Sequence, residues 1–590
     1  MIAEENKVLE ENITDRKAAK WAGVLLLSAA FFLLFWGLGG RGLWGSEGRW
    51  AEITREMFLS GDFFHPTIGG KPYFDKPLLT YWLIAAFSAI TGTLNEWVVR
   101  LPSAFAGVVA VWATVLLGRR LWSARVGNIA GWLLLTSYGI LFWSRTAAAE
   151  TENLAAITLC ILWYWSRRDK LNFTAFLVFY LIAFIGSLTK GLPALVVPVL
   201  VIIPDIVRDR RWKNLFGPSH FLAFGLALVV YLSPFLYAFV DRPDGYDARG
   251  LSLVLQENFL RYFRAFDHKG PFYLYLYAVP ILMLPWAPLF MASLVGLLSF
   301  WKFIDKNTRW LLTAIAIIFL FFTLSGSRRE YYILPIMPLC ALLMAVFLVY
   351  IPDTRMDAAR RWGINVQKYA CMAFVLIEIA LPFVLFILKV RNHFDFFTSL
   401  SLSGIVLGGI ALAAWLIVER VGFGKYLLPK EARQVAGVIA VTVVVFGGFF
   451  CWQQNIIDNF RTGRAFVERV KSQASGLPST SIGLFLSNDA KLLFELDGNK
   501  PVQIIIESGD WELFLTNERP RILITCRKYV PLVPSEYTAF TQRTPDIAEE
   551  ISPWDSASTR KNKWVAWLLD YRQIKLNTAL AENEKVRDEN

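Results

Sequence analysis

Long apolar runs separated by short polar segments dominate the chain. The runs cover 21–39, 101–118, 127–144, 152–166, 172–189, 191–207, 219–239, 272–298, 310–326, 331–350, 369–390, 400–418 and 435–452. A membrane-crossing helix needs about 20 mostly apolar residues, so this spacing predicts about 13 spanning helices. The run 78–92 is shorter and is bracketed by Lys76 and Glu96. It predicts a helix lying along the membrane surface. Near residue 455 the pattern changes. SIGLFLSND, AKLLFELDG, PVQIIIES, DWELFLTNE, RILITCRKY and KWVAWLLDY read as short strands alternating with short helices. They predict a small α/β domain over 456–590, following a transmembrane domain over 1–455 with polar loops at 40–98 and 241–271.

Composition sharpens this picture. Hydrophobic residues make up 55% of the 590 and charged ones 18%, which excludes a soluble multidomain chain. The net charge of +12 does not point to nucleic acid. Lys and Arg cluster in short segments between apolar runs, the pattern of cytoplasmic loops facing anionic lipid. With Lys17 and Lys20 inside, the inside loops carry Arg119, Arg120 and Arg125, then Arg167, Arg168 and Lys170, then Arg208, Arg210, Arg211 and Lys213. The later ones, around Lys302, Arg355 and Lys425, are equally basic. An odd span count puts the C-terminal domain outside. The five cysteines form no CxxC pair and read as packing residues. The first apolar run lacks a small-residue cleavage site and reads as an anchor.

The outside segments hold the candidate chemistry. Residues 43–76 gather Glu47, Arg49, Glu52, Arg55, Glu56, Asp62, His65, Lys71, Asp75 and Lys76. Glu47 can serve as a general base or metal ligand, and Arg49 can clamp a phosphate; the pair is equally a solvated helix start. Asp75-Lys76 before Pro77 opens a helix, where an anion is favoured; Lys76 suits a phosphate or snorkels to headgroups. Lys190, between two apolar runs, is an interfacial anchor or a phosphate ligand. The segment 256–275 carries Glu257, Arg261, Arg264, Asp267, His268 and Lys269 among aromatics, as a surface helix also would. SGSRREYYILP brings Arg328, Arg329 and Tyr332 to the same side, and RTAAAETENL adds Glu150. Cations in such number suit a phosphate leaving group. No Walker or G-x-G-x-x-G pattern appears, so an activated sugar would have to be carried by lipid phosphate.

EGRWAEITREMFLSGDFFHPTIGGKPYFDKPLLTYWL, NEWVVRLPSA, LTKGLPALVVP, HKGPFYLY and SRREYYILP, in that order, resemble the bacterial aminoarabinose-to-lipid-A transferases and the wider protein O-mannosyltransferase-like group. The resemblance implies a GT-C-type polytopic α-helical membrane protein with a small periplasmic α/β domain. It implies an inner-membrane location, a cytoplasmic N-terminus and a periplasmic active site. The donor is then a polyprenyl-phosphate-linked sugar and the acceptor a lipid or glycan of the envelope, with membrane lipids as the other partners, a single chain sufficing and no nucleic acid. By the resemblance, Lys76 holds the donor phosphate. Arg49, Lys190, Arg261, His268, Lys269, Arg328 and Tyr332 occupy the matching positive or polar positions. Asp75 and Glu150 fall where the group has acids that can touch a metal, so a divalent ion stays open. Two departures stand out. The group has Asp-Glu after the first span, where this chain has Ser46-Glu47, leaving Glu47 as the available base. The group's Glu-His is here Glu257-Asn258. The competing readings are a protein O-glycosyltransferase and a non-catalytic binder or transporter of lipid-linked sugars.

Overall fold

A computed structural model of the chain describes residues 21–241, 243, 270–349, 354–387, 394–418, 430–461, 463–478, 481–498, 502–515, 520–550 and 557–569. Arg261, His268 and Lys269 lie outside these residues. The chain forms two compact units. One holds the described residues within Met1–Arg41, Asp75–Pro243 and Ala248–Phe460; the other holds those within Gly42–Phe74 and Arg461–Asn590.

The first unit is helical. Six described helices are long and apolar enough to cross a membrane: Glu96–Leu121, Phe173–Lys190, Pro218–Val240, Lys306–Leu324, Glu330–Val349 and Gln434–Asp458. A seventh span is counted if the bent pair Leu274–Leu282 and Ala287–Ser299 is taken as one. Shorter apolar helices include Trp21–Phe35 and Leu79–Thr91. The latter has 13 residues, about 20 Å of helix against the ~30 Å of a bilayer core. Glu96–Leu121 begins where the Asn95 side chain accepts from the amides of Trp97 and Val98, both at 3.1 Å, which satisfies two orphan donors. It packs on Ala124–Leu135 and Glu150–Arg167. A Cβ on Gly118 would lie 2.7 Å from Gly127 Cα, so backbones touch there as small residues allow.

Two expected spans are not single straight helices. The run 127–144 divides into Ala124–Leu135 and Tyr138–Trp143. At the break, Thr136 Oγ1 and Ser137 Oγ donate back to the carbonyls of Trp132 and Leu133, both at 2.6 Å, and Tyr138 N donates to Leu284 O at 2.7 Å. Hydroxyls at those positions compete with the helical ladder. The run 272–298 bends by 117° between its two helices. Pro285 follows Leu284 in the break, and proline both lacks an amide donor and disfavours helix in the residue before it.

The second unit matches the α/β pattern closely. Strands β3 (Ile482–Phe485), β4 (Gln503–Ile505), β5 (Arg521–Cys526), β6 (Ile547–Ala548) and β7 (Trp564–Leu569) form one sheet in the order β4-β3-β5-β7-β6. β4, β3 and β5 run parallel; β7 pairs antiparallel to β5 and to β6. Helices Ala490–Leu496 and Ser508–Leu515 make the parallel connections. All six residues of β5 are buried, as a strand covered on both faces should be. Phe485, Ile505, Trp511, Phe514, Leu523, Val565 and Trp567 form the core.

The polar stretch after the first apolar run folds within this second unit. Helix Glu47–Ser60 packs on Ala490–Leu496, and a Cβ on Gly48 would lie 2.6 Å from Lys491 Cα. Gly61, at φ 75°, ends that helix. A two-residue turn, Gly69-Gly70 at φ 61° and 73°, then joins β1 (Thr67–Ile68) to β2 (Lys71–Pro72).

Candidate active site

In the second unit, most charges of the 43–76 stretch hold the fold. Glu52 and Arg55, one helical turn apart and buried, make a two-pronged pair at 2.8 Å for both bonds. Arg55 also donates to Gly498 O. Burial pushes the Glu52 carboxyl from the ordinary 4.5 up to about 7, outweighing Arg55. Glu56 accepts from Thr67 Oγ1 and from the amides of Gly69 and Gly70, so it ties the helix to the hairpin turn. Asp62 accepts from His65 Nδ1 at 2.7 Å and from the amides of Phe64 and His65; the backbone bonds and His65 hold its carboxyl below the usual range against its partial burial.

Glu47 and Arg49 stand nearer the helix start. Glu47 is the first helical residue and fully buried. Its Oε2 accepts from Trp44 N at 2.8 Å, a placement that the helix dipole favours for a carboxylate. Arg49 donates to the Tyr73 hydroxyl at 2.9 Å. Ser46, in place of the resembled family's Asp, is exposed and forms no side-chain cap.

In the first unit, two packed helices bring an acid and a base together. Glu150 opens helix Glu150–Arg167, and Lys190 closes helix Phe173–Lys190. The two ends meet, with Lys190 Nζ 3.2 Å from Glu150 Oε1. Each sits where the helix dipole favours its charge. Gly191, at φ 117°, then redirects the chain. Lys190 Nζ lies 4.4 Å from the Tyr332 ring centre and 5.4 Å from that of Tyr331, within cation–π range. Arg329 donates to the Tyr331 hydroxyl at 2.6 Å, and Trp143 packs on the Tyr331 ring at 4.4 Å. Lysine, glutamate, arginine and two phenols thus share one cluster.

Lys76 pairs with its neighbour Asp75 at 3.4 Å. Arg328 is engaged with backbone: it donates to Gly270 O at 2.9 Å and Thr323 O at 3.0 Å, stitching three segments together. Glu152 is buried beside this region and accepts from Ser103 at 3.2 Å. Among the described residues no three His, Cys, Asp or Glu gather as metal ligands. Asp75 and Glu150 each face a lysine, a donor set that suits an ion pair better than a divalent cation, which takes six or so oxygens. Tyr331 and Tyr73 were not singled out by sequence, whereas Arg329 was read with Arg328 and Tyr332 in SGSRREYYILP. The signal for Tyr331 was the tyrosine doublet in SRREYYILP; Tyr73 had none.

Known proteins share both the sequence and this fold. The family model described as dolichyl-phosphate-mannose-protein mannosyltransferase matches residues 75–237. An undecaprenyl phosphate-alpha-4-amino-4-deoxy-L-arabinose arabinosyl transferase of Pseudomonas fluorescens is 30% identical over 423 residues, 68% of this chain and 69% of that one. The counterpart from Pseudomonas paraeruginosa is 32% identical over 350 residues, 56% of this chain and 59% of that one. The crystal structure of ArnT from Cupriavidus metallidurans bound to undecaprenyl phosphate superposes with a TM-score of 0.69 at 19% identity, covering 93% of this chain and 98% of that one. Its apo form gives 0.67 at 20% identity, over 94% and 99%. The fold is that of the GT-C-type integral-membrane glycosyltransferases. Within that class, the chain belongs to the family of undecaprenyl phosphate-linked aminoarabinose transferases.

Proposed function

We propose that this protein moves a sugar from a polyprenyl-phosphate carrier to an acceptor of the bacterial envelope, lipid A or another glycolipid, at the periplasmic face of the inner membrane. Family membership at 30% identity over 423 residues carries the reading. The names of the relatives favour a 4-amino-4-deoxy-arabinosyl group, a pentose, as the sugar. The basic loops favour a cytoplasmic N-terminus and a periplasmic α/β domain, and one chain carries every group the reaction needs.

The chemistry asked of the protein is a displacement at the anomeric carbon with inversion. An acceptor oxygen attacks from the face opposite the carrier, and charge grows on the departing phosphate. Lys76 and Lys190 are the proposed cations for that charge, with the Tyr332 hydroxyl as a neutral donor. Glu150 pairs with Lys190 at 3.2 Å until an anion competes for it. Arg328, tied to two carbonyls, contributes by holding the segment that carries Tyr332 rather than by direct contact. Arg49, Arg261, His268 and Lys269 are proposed to add positive or polar contacts. Glu47 is the proposed base for an alcohol acceptor. A phosphate acceptor is already ionised at neutral pH and needs none, which agrees with Ser46 standing in the place of the family's Asp.

The test is transfer of a radiolabelled sugar from its polyprenyl phosphate by the purified full chain. Lys76→Ala is expected to abolish transfer while a Glu47→Gln variant distinguishes the two acceptor types: loss means an alcohol acceptor, retention a phosphate. A parent protein that binds the carrier but transfers nothing would sink the enzymatic reading in favour of a binder or transporter.

A further inference from the structure

We infer that the crevice at the carboxyl ends of β3 and β5 is a subsite for the phosphorylated headgroup of the acceptor, an inference that rests on the glycosyl transfer proposed above. The sheet order sets up the crevice. From β3 the chain passes through helix Ala490–Leu496 to β4 on one side, and β5 lies on the other side of β3. The chain segments leaving β3 and β5 therefore diverge. In open parallel sheets such a reversal leaves a cleft beyond the strand ends, where ligands bind.

The residues at that cleft are polar and cationic. Leu486 leaves β3 at φ 50°, a conformation that a branched side chain seldom adopts. Such backbone persists where the surroundings demand it, often at binding sites. Ser487, Asn488 and Asp489 follow; Asp489 Oδ1 is engaged by Leu492 N at 2.9 Å. From β5 come Arg527 and Lys528. Arg527 Nε is buried with no hydrogen-bond partner, which a guanidinium tolerates poorly and an anion would relieve. The two exits start side by side before they part: Thr525 Oγ1, one residue before the end of β5, donates at 2.9 Å to the carbonyl of Phe485, the last residue of β3, and the carboxylates of Asp489 and Glu549 also act on Cys526 there.

The cleft also has a short path to the proposed base. Lys491, two residues past Asp489, abuts Gly48, the neighbour of Glu47. The segment leaving β3, on the other side of the cleft from Arg527 and Lys528, thus touches the start of the Glu47 helix. A phosphomonoester carries between one and two negative charges at neutral pH and three acceptor oxygens, a match for one guanidinium and one ammonium. Ser487 and Asn488 offer hydroxyl and amide groups suited to sugar hydroxyls.

The experiment measures binding, not turnover. A radiolabelled diphosphorylated glucosamine disaccharide and its dephosphorylated counterpart are titrated against the full chain in detergent. The parent should bind the phosphorylated form at least tenfold more tightly. Arg527→Ala and Lys528→Ala should each erase most of that preference, and Arg527→Lys should keep part of it. Retained binding of undecaprenyl phosphate by the variants certifies that they fold. Equal binding of the two disaccharides by the parent, or an undiminished preference in both alanine variants, would overturn the assignment. So would competition by inorganic phosphate as strong as that of the disaccharide, which would mark a free-anion site. Because no donor is present, failed transfer alongside phosphate-selective binding would count against the glycosyltransferase reading and leave the subsite standing.

Discussion

Two charged regions, similar on paper, use their charges differently. The stretch within Gly42–Phe74 is dense in acids and bases, yet Glu52 and Arg55 bind each other, Glu56 holds a glycine turn, and Asp62 holds His65. The span cluster is sparse: one lysine, one glutamate, an arginine and two tyrosines. In the first region charge is cancelled locally to build a loop fold. In the second, Lys190 lies 3.2 Å from Glu150 and over two tyrosine rings, the arrangement proposed above to yield the lysine to a phosphate. Density of charge by itself therefore marks polar structure, and the proposed site is the sparser of the two regions.

The comparison can be broken by mutating both sides. Arg55→Met should cost about 3–5 kcal/mol of stability, since it strands buried Glu52, and any activity lost should follow the folded fraction in a thermal melt. Lys190→Met should do the opposite. It should lower turnover by roughly 10²–10³-fold, about 3–4 kcal/mol of transition-state stabilisation, with an unchanged melting temperature. If Lys190→Met unfolds the protein, or Arg55→Met silences a still-folded one, the contrast fails.

Tyr331→Phe removes the acceptor for Arg329 but keeps the ring. It should cost about 1–1.5 kcal/mol, near tenfold in kcat/KM for the donor, visible in steady-state transfer. A donor KM and kcat both equal to the parent's would show that the Arg329 contact is idle.

The smallest effect concerns pH. Glu52 titrates at about 7 when folded and near 4.5 otherwise, so the folded protein holds the proton more tightly. Its contribution to stability is then full below pH 4.5 and fades as pH rises through 7. Melting temperature should fall across that window, and Glu52→Gln should flatten this part of the profile. The destabilisation in Arg55→Met should likewise be milder at pH 5 than at pH 8, because a lone Glu52 can protonate. An identical profile in parent and Glu52→Gln would show that Glu52 keeps its ordinary titration.

Much of the architecture was readable from pattern alone. Apolar runs of span length marked the helices, and the period-two segments after residue 455 marked β3, β4, β5 and β7 within a few residues. Both signals are local, since burial on one face or all round leaves a periodic trace. The breaks at Thr136-Ser137 and Leu284-Pro285 were harder, because a hydroxyl or a proline breaks a helix only when neighbours supply the replacement bonds. Lys190, Arg329 and Tyr332 were visible as charge and motif; Tyr331 stood in the same motif without distinction.

By itself, then, the sequence determined a polytopic helical protein with a small α/β domain, a family, and a short list of candidate polar residues. Hydropathy and propensity act residue by residue and survive in the string. Only the tertiary structure decided which charges cancel and which remain available. Glu52 reaches Arg55 one turn away, but Glu150 reaches Lys190 only because two helices end at the same place, and Gly48 meets Lys491 across more than four hundred residues of chain. An electrostatic role depends on what lies within a few ångströms, and those distances are set by packing that no local pattern encodes.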